Sequence, residues 1–323
     1  MAKLTGAKVS VAGAGALGLC AALELARRGA TVTLHDPAPI GDNASGMAAG
    51  MLAPVFEALL DPASRDHLDI LLAARDLWPS FAPVALDRTG AVWRGGDPDA
   101  VAAGLEGLGV RWRQTAEGPA TAEDWRLDPG AAMTVLYAAA KAAGVVFDEG
   151  PVEAREPRPG EVRVLATGAG GAGLAPELDV VSPIKGHLLR CFGGPETGPV
   201  LRAEGVYLCP DPAGAVLGAT METGRDDRRV DPEQVAALRA RGERLLPGLP
   251  GLRFRAEVGV RAATPDGLPL VGPSATPGVL LAVGARRNGW LLAPLVARTV
   301  AAYLAGDDPG PFAARLDPRR FAN

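Results

Sequence analysis

Sulfur and imidazole are scarce in this chain. Its three cysteines, Cys20, Cys191 and Cys209, stand far apart with no CxxC pair. That excludes a disulfide framework and a cysteine-based zinc site, and reads as reduced thiols in a cytoplasmic protein. The three histidines, His35, His67 and His187, lack metal-ligand spacing, so no metal is expected. A GxSxG elbow is missing, no cysteine stands in a nucleophile setting, and spacing alone defines no general acid–base pair. Aromatic residues make up only 5%, and the formal net charge is −4. With no basic cluster interleaved with aromatics, nucleic acid is not an expected partner. Long unbroken apolar runs are absent as well. The apolar segment 289–306 contains Arg298, Thr299 and Pro294, which suits a buried helix and not a membrane span. Near the start, Lys3 and Lys8 precede an apolar stretch with Ala-x-Ala. There Glu24, Arg27 and Arg28 continue a helical pattern where a leader would be cut.

What is present is a chain of 323 residues, 48% apolar and 22% charged, long enough for two domains. The stretch "VSVAGAGALGLCAALELARRGATVTLHD", residues 9–36, opens on a short apolar strand and closes on a β-branched one. Between them Leu17, Ala21, Ala22, Leu25 and Ala26 recur at helical spacing, and Gly29 ends the helix. This βαβ unit carries Gly13-x-Gly15-x-x-Gly18 at its turn and Asp36 at its end. The glycines permit a tight turn, close approach of a pyrophosphate and close helix–strand packing. The helix N-terminus supplies N–H donors, and the acid can accept from an adenosine ribose. A carboxylate there disfavours a 2′-phosphate, so NADP is not expected; NAD and FAD both stay open. The plain alternative is a glycine turn used for packing alone.

Further along, periodicity predicts a helix over 64–78 ended by Pro79 and Pro83, and a hairpin around Thr89-Gly90. Acid-capped helices follow at 97–109 and 128–144, then strands "VVFDE" and "EVRVLATGAGG". "VYLCP" and "AVLGATME" read as strands joined by the turn "DPAG", 232–246 as a helix, "GVLLAVGA" as a buried strand and 289–305 as the final helix. Parallel-sheet strands thus occur at the start, middle and end, with hairpin-like strands between. The fold class is α/β: a discontinuous nucleotide domain on a parallel sheet (1–80, 128–182 and 256–323). A mostly antiparallel α+β domain (81–127 and 183–255) is inserted in two pieces.

Five later features invite a functional reading beside a plain one. "NASGMAAGMLAP", 43–54, crowds small residues that let backbone lie against a flat cofactor; a tightly packed core helix explains them too. In "ATGAG", Gly168 would let backbone pass near a cofactor, or it makes an ordinary strand-to-loop turn. "VGARRNGWLLAP" sets a glycine and polar loop before a long helix, whose free N–H groups suit the negative charge of a reduced flavin. The alternative leaves Arg286 and Arg287 in water. Arg261 follows a mostly apolar strand and needs a partner, either a substrate carboxylate or an internal ion pair. Tyr207 alternates with Val206 and Leu208 and faces away from them, into a site or half-buried in a core.

Together "GAGALG…LARRGATVTLHD", "ASGMAAGMLAP", "ATGAG", "VYLCP", "GATME", "RAATPDGLPLVGP" and "RRNGWLLAP" resemble the D-amino-acid oxidase family of flavoproteins, nearest its glycine oxidase branch. They stand in family order over nearly the whole chain. The resemblance implies FAD and not NAD, on a Rossmann-like domain whose flavin is covered by the antiparallel sheet of the second domain. It implies that Ala16, Leu17, Asp36, Ala44, Ser45, Ala49, Gly50 and Met51 line the FAD, with Val152 contributing from mid-chain. Ala285, Arg286, Asn288, Gly289, Trp290 and Leu291 would cap the flavin ring. Tyr207 and Arg261 match positions that hold the substrate carboxylate, Arg287 a further substrate-side position, and Met221 the strand beside the pocket.

The implied activity is oxidation of glycine, sarcosine or a small D-amino acid by hydride transfer, with hydrogen peroxide formed and a role in thiamine thiazole synthesis. Molecular oxygen or another acceptor takes the electrons. A dehydrogenase of the same fold and a non-catalytic flavin-binding protein are the competing readings. Three departures stand out. The family's His and aromatic before the last helix are replaced in Gly284-Ala285-Arg286-Arg287-Asn288-Gly289. Ala262 follows Arg261 where proline is common, and 85–125 and 150–163 are trimmed. No cysteine occurs in 255–263, so the FAD is expected to be non-covalent. The oligomeric state stays open, a homo-oligomer included.

Overall fold

The computed structural model describes residues 3–151 and 157–321, so the Val152 contact lies outside the described residues. Strands Lys8–Ala12 and Thr31–His35 pair in parallel with Val9 opposite Val32. Helix Ala16–Arg27 crosses between them and buries Leu19, Cys20, Leu23 and Leu25. Its apolar stripe faces the sheet, which is what a 3.6-residue period predicts. Strand Glu161–Leu165 lies on the other side of the first strand, and Val279–Val283 beyond it. The six-stranded order is Leu270–Pro273, Val279–Val283, Glu161–Leu165, Lys8–Ala12, Thr31–His35, Val146–Asp148. All pairs are parallel except the first, at the edge. Successive connections leave the first strand in opposite directions, so a crevice opens at the carboxyl ends of the first strand and of Glu161–Leu165. The last helix, Gly289–Ala305, packs against Ala16–Arg27 through a nearly continuous apolar surface including Leu292, Val296 and Val300.

A second, nine-stranded sheet is mostly antiparallel. Its spine is Ser182–Phe192, paired along its full length with Arg253–Ala263, from Ser182 opposite Ala263 to Phe192 opposite Arg253. Gly214–Gly218 pairs with the spine, and Val206–Asp211 follows outward. One parallel pair, Val200–Ala203 with Ala91–Trp93, interrupts the pattern. The chain has a Rossmann-like α/β fold combined with this antiparallel sheet. Among the described residues no helix is long and apolar enough to cross a membrane.

Four expectations need correction. No hairpin forms at Thr89-Gly90. The Asp87 carboxylate instead accepts from Thr89 N at 2.8 Å and bends the chain, and Asp87 bridges to Arg126. Gly90, at φ +93°, then passes so close to Thr121 that a Cβ would lie 2.2 Å from its carbonyl oxygen. The helix expected over 64–78 is two helices, Pro62–Arg65 and Leu68–Phe81, and Pro79 sits inside the second. A proline this near the end forfeits little hydrogen bonding, and the added residues bring Phe81 into the core beside Trp78. Segment 43–54 is no core helix: before Pro54, which opens the helix Pro54–Leu60, only Ala44–Met47 is helical, capped by Asn43, and none of those four residues is buried. Finally, Arg253–Ala263 runs unbroken across the 255/256 border and stays in the larger sheet throughout.

Candidate active site

The glycine turn comes first. Gly13 holds φ +105°, and a Cβ there would lie 2.4 Å from the Ala166 carbonyl oxygen. At Gly18 a Cβ would lie 1.8 Å from the Gly13 carbonyl oxygen, so this glycine seats the helix on the turn and does not face a cavity. Asp36 closes the arrangement: Oδ2 accepts from Ala14 N at 2.7 Å and Oδ1 from Ala38 N at 2.9 Å. Ser45 Oγ accepts from Ala16 N at 3.0 Å, which ties the 43–54 segment to the helix start.

In front of this turn lies a cavity of about 250 Å³. Gly13, Gly15, Ala16, Leu17, Asp36 and Ser45 line one side. Gly168, Ala285, Arg286 and Gly289 line the other. Thr167 also lines this cavity. Leu291 is not at either cavity. The helix turns it inward, fully buried among core residues, which corrects its assignment to the ring contacts.

A second cavity, of about 220 Å³, adjoins the first. Ala44, Arg261, Arg287 and Trp290 line both. Ala49, Gly50, Met51 and Asn288 form part of its wall, with Tyr207 and Met221 from the larger sheet. Trp290 fastens the junction by donating its indole N–H to the Ser45 carbonyl at 2.9 Å.

Two glycines that sequence reasoning passed over make room for the functional side chains. Gly218 pairs directly with Tyr207, and a Cβ there would lie 2.2 Å from the phenol oxygen. Gly186, on the spine strand, lies under the Arg261 guanidinium. Both sit within strands, where a glycine often marks close approach of another group. That was the available signal.

Arg261 is partly buried, and no carboxylate among the described residues pairs with it. Its Nη1 reaches only the Thr220 carbonyl at 3.4 Å and Met221 Sδ at 3.6 Å. Burial lowers its pKa, with Arg287 nearby pushing the same way and Tyr207 opposing. Burial raises the Tyr207 pKa, so the phenol stays protonated and able to donate. A guanidinium in this setting is matched by an anion presented from the cavity.

Arg286 and Arg287 are not in water. Arg286 pairs with Asp61, and Arg287 with Glu57. Glu57 and its second partner, Arg202, escaped sequence reasoning. Glu57 Oε1 accepts from Arg202 Nη2 at 3.0 Å, and Oε2 accepts from Arg287 Nε at 2.8 Å. Burial pushes the Glu57 carboxyl up, but the charges and hydrogen bonds of Arg287 and Arg202 bring it down to about 2. Asp124 lies behind, accepting from the backbone N–H groups of Val55 and Phe56, and burial raises its pKa to about 6.

The model of one family, FAD dependent oxidoreductase (DAO), matches residues 8–303. The chain belongs to this family. FAD is its cofactor, and the residues present fit it. A glycine turn at a helix start, where a Cβ on Gly13 would collide with backbone, and an acid at the end of the second strand face one cavity, a donor and acceptor set suited to a nucleotide. The bifunctional protein ThiO/ThiG of Trichormus variabilis is 31% identical over 97% of this chain. The chain spans about half the length of such bifunctional relatives. A glycine oxidase of Pseudomonas aeruginosa is 29% identical over 98% of both chains. The crystal structure of glycine oxidase from Geobacillus kaustophilus superposes with a TM-score of 0.84 at 24% identity, covering 98% of this chain and 100% of that one. The last likeness establishes the fold.

Proposed function

We propose that this oxidoreductase oxidises the CH–NH bond of a small amino acid such as glycine, sarcosine or a small D-amino acid, using non-covalent FAD. The observation that carries the reading is Arg261. A guanidinium without a carboxylate partner among the described residues stands where the two cavities meet, with Tyr207 beside it. In this reading Arg261 and Tyr207 hold the substrate carboxylate, and Met221 and Arg287 shape the space around it.

Gly13, Gly15, Ala16, Leu17, Asp36, Ser45 and Gly168 would hold the adenosine and pyrophosphate end of the cofactor. Ala44, Ala49, Gly50, Met51 and the 285–290 loop would hold its ring, the smaller sheet carrying the cofactor and the larger one the substrate. When bound, FAD supplies a two-electron acceptor for the hydride on the substrate Cα. The clamp aims that Cα–H, and the cavity walls limit water around the amine. The substrate nitrogen loses its proton to solvent before transfer, so no protein base is required. The imino acid is hydrolysed to a keto acid and ammonia or amine. Electrons pass on to oxygen, giving hydrogen peroxide, or to another acceptor. A role in thiamine thiazole synthesis belongs to the same proposal, supported by the likeness to glycine oxidases and ThiO/ThiG.

The test is optical. Purified protein is expected to show flavin absorption near one per chain. Anaerobic glycine, sarcosine or D-alanine is expected to bleach it, and the speed of recolouring in air separates oxidase from dehydrogenase. A protein that binds flavin but is bleached by no amine would overturn the proposal.

A further inference from the structure

Three guanidiniums and one carboxylate face the second cavity: Arg202, Arg261, Arg287 and Glu57. Glu57 is shared, with one oxygen on Arg202 and the other on Arg287. Arg261 has no carboxylate of its own among the described residues. The lining therefore carries an excess of two positive charges. Of the nearby acids, Asp61 is committed to Arg286. Asp124 lies behind the wall on two backbone N–H groups and offsets Arg202 from that side, without facing the cavity.

A substrate held by one carboxylate balances one of these charges. The other is offset only from behind the wall, by Asp124, so the cavity side of the Arg202–Arg287 pair can still receive a second anion. Donors remain for it. Arg202 uses Nη1 on Met51 Sδ and Nη2 on Glu57, while Arg287 uses Nε and Nη2 on Glu57. Among the described residues, Arg202 Nε and Arg287 Nη1 make no hydrogen bond. Position agrees with chemistry. Arg202 pairs across the strands with Tyr207, and its guanidinium carbon lies 6.0 Å from the phenol ring centroid. The second cationic pair thus adjoins the proposed carboxylate clamp.

We propose that the substrate is a small amino or imino acid bearing a second acidic group. Arg261 and Tyr207 hold the first, and Arg202 with Arg287 receives the second. The proposal rests on the amine-oxidation reading above and narrows it.

The test compares acids with their isosteric amides on the FAD-loaded enzyme: D-aspartate with D-asparagine, and the achiral N-(carboxymethyl)glycine with its monoamide. In at least one pair kcat/KM for the acid is expected to exceed that of the amide by about 10- to 100-fold. In Arg202→Gln this ratio falls toward one, and in Arg202→Lys it partly recovers. Glu57 keeps Arg287 in both variants, so no carboxylate is orphaned. Binding gives a readout independent of turnover: malonate is expected to protect against thermal unfolding at lower concentration than acetate, in wild type but not in Arg202→Gln. Amides used as well as acids in both pairs would overturn the proposal. So would an acid preference that survives Arg202→Gln, or malonate binding no tighter than acetate. If no amine bleaches the flavin, the oxidation reading falls, and the malonate–acetate comparison still decides the charge argument.

Discussion

Gly186 lies directly beneath the Arg261 guanidinium: a methyl group there would come within 2.1 Å of Nη1. The arginine can lie flat on the spine strand only because that position has no side chain. Gly186→Ala is therefore expected to lift the guanidinium and raise KM about tenfold, with a smaller effect on kcat. Steady-state kinetics check this. In an Arg261→Met background the same substitution is expected to add little, since neighbours that act through one contact are not additive.

Arg261→Ala itself is expected to weaken substrate binding by roughly 2–5 kcal/mol, the usual loss for one partner of a buried charge pair. Cofactor content serves as the control. A near-normal KM in the variant would remove Arg261 from the clamp.

Glu57→Gln leaves Arg202 and Arg287 without their shared anion and is expected to cost about 3–5 kcal/mol of stability at neutral pH. The pH dependence has a definite sign. The Glu57 carboxyl is held at about 2 in the folded chain against an ordinary value of 4.5. Its contribution is thus fully present above 4.5 and is lost as pH falls toward 2. Asp124 acts oppositely. Its carboxyl is raised from 3.8 to about 6, so it costs stability as pH rises through that range. Urea unfolding of wild type and Glu57→Gln from pH 7 down to pH 3 is the measurement. The gap between them is expected to be flat at first and to narrow below about 4.5.

Asp36 pins the glycine turn through Ala14 N and faces the first cavity. Asp36→Ala is expected to loosen FAD by about 1–3 kcal/mol, combining a lost ribose contact with a less ordered turn. Fluorescence titration of the stripped protein with FAD reads this directly. Unchanged affinity would separate Asp36 from the cofactor.

The strand–turn–helix around Gly13 was legible because its contacts are local and its period is regular. The last helix was legible for the same reason, down to its bounds at Gly289 and Ala305. Glu57 was not. Its partners Arg202 and Arg287 stand 145 and 230 residues away, and no local pattern links such positions. The Thr89-Gly90 hairpin was misread because a turn signal fixes a bend but not what the next strand pairs with. Here Ala91–Trp93 pairs with Gly118–Thr121 and Val200–Ala203. Gly218 stood inside the strand read from "AVLGATME", whereas the strand Ser182–Phe192 that holds Gly186 was not read from the sequence, and only the folded sheet shows which side chain each glycine admits.

Arg261 and Arg287 line both cavities. Two ligands that share a wall cannot bind in ignorance of each other, and thermodynamic linkage makes the influence mutual. Whatever factor FAD adds to the affinity for a carboxylate ligand, that ligand must add to the affinity for FAD. A tight, unreactive acid would thus hold the cofactor in place, and the stripped protein would be a poor judge of what the loaded one selects.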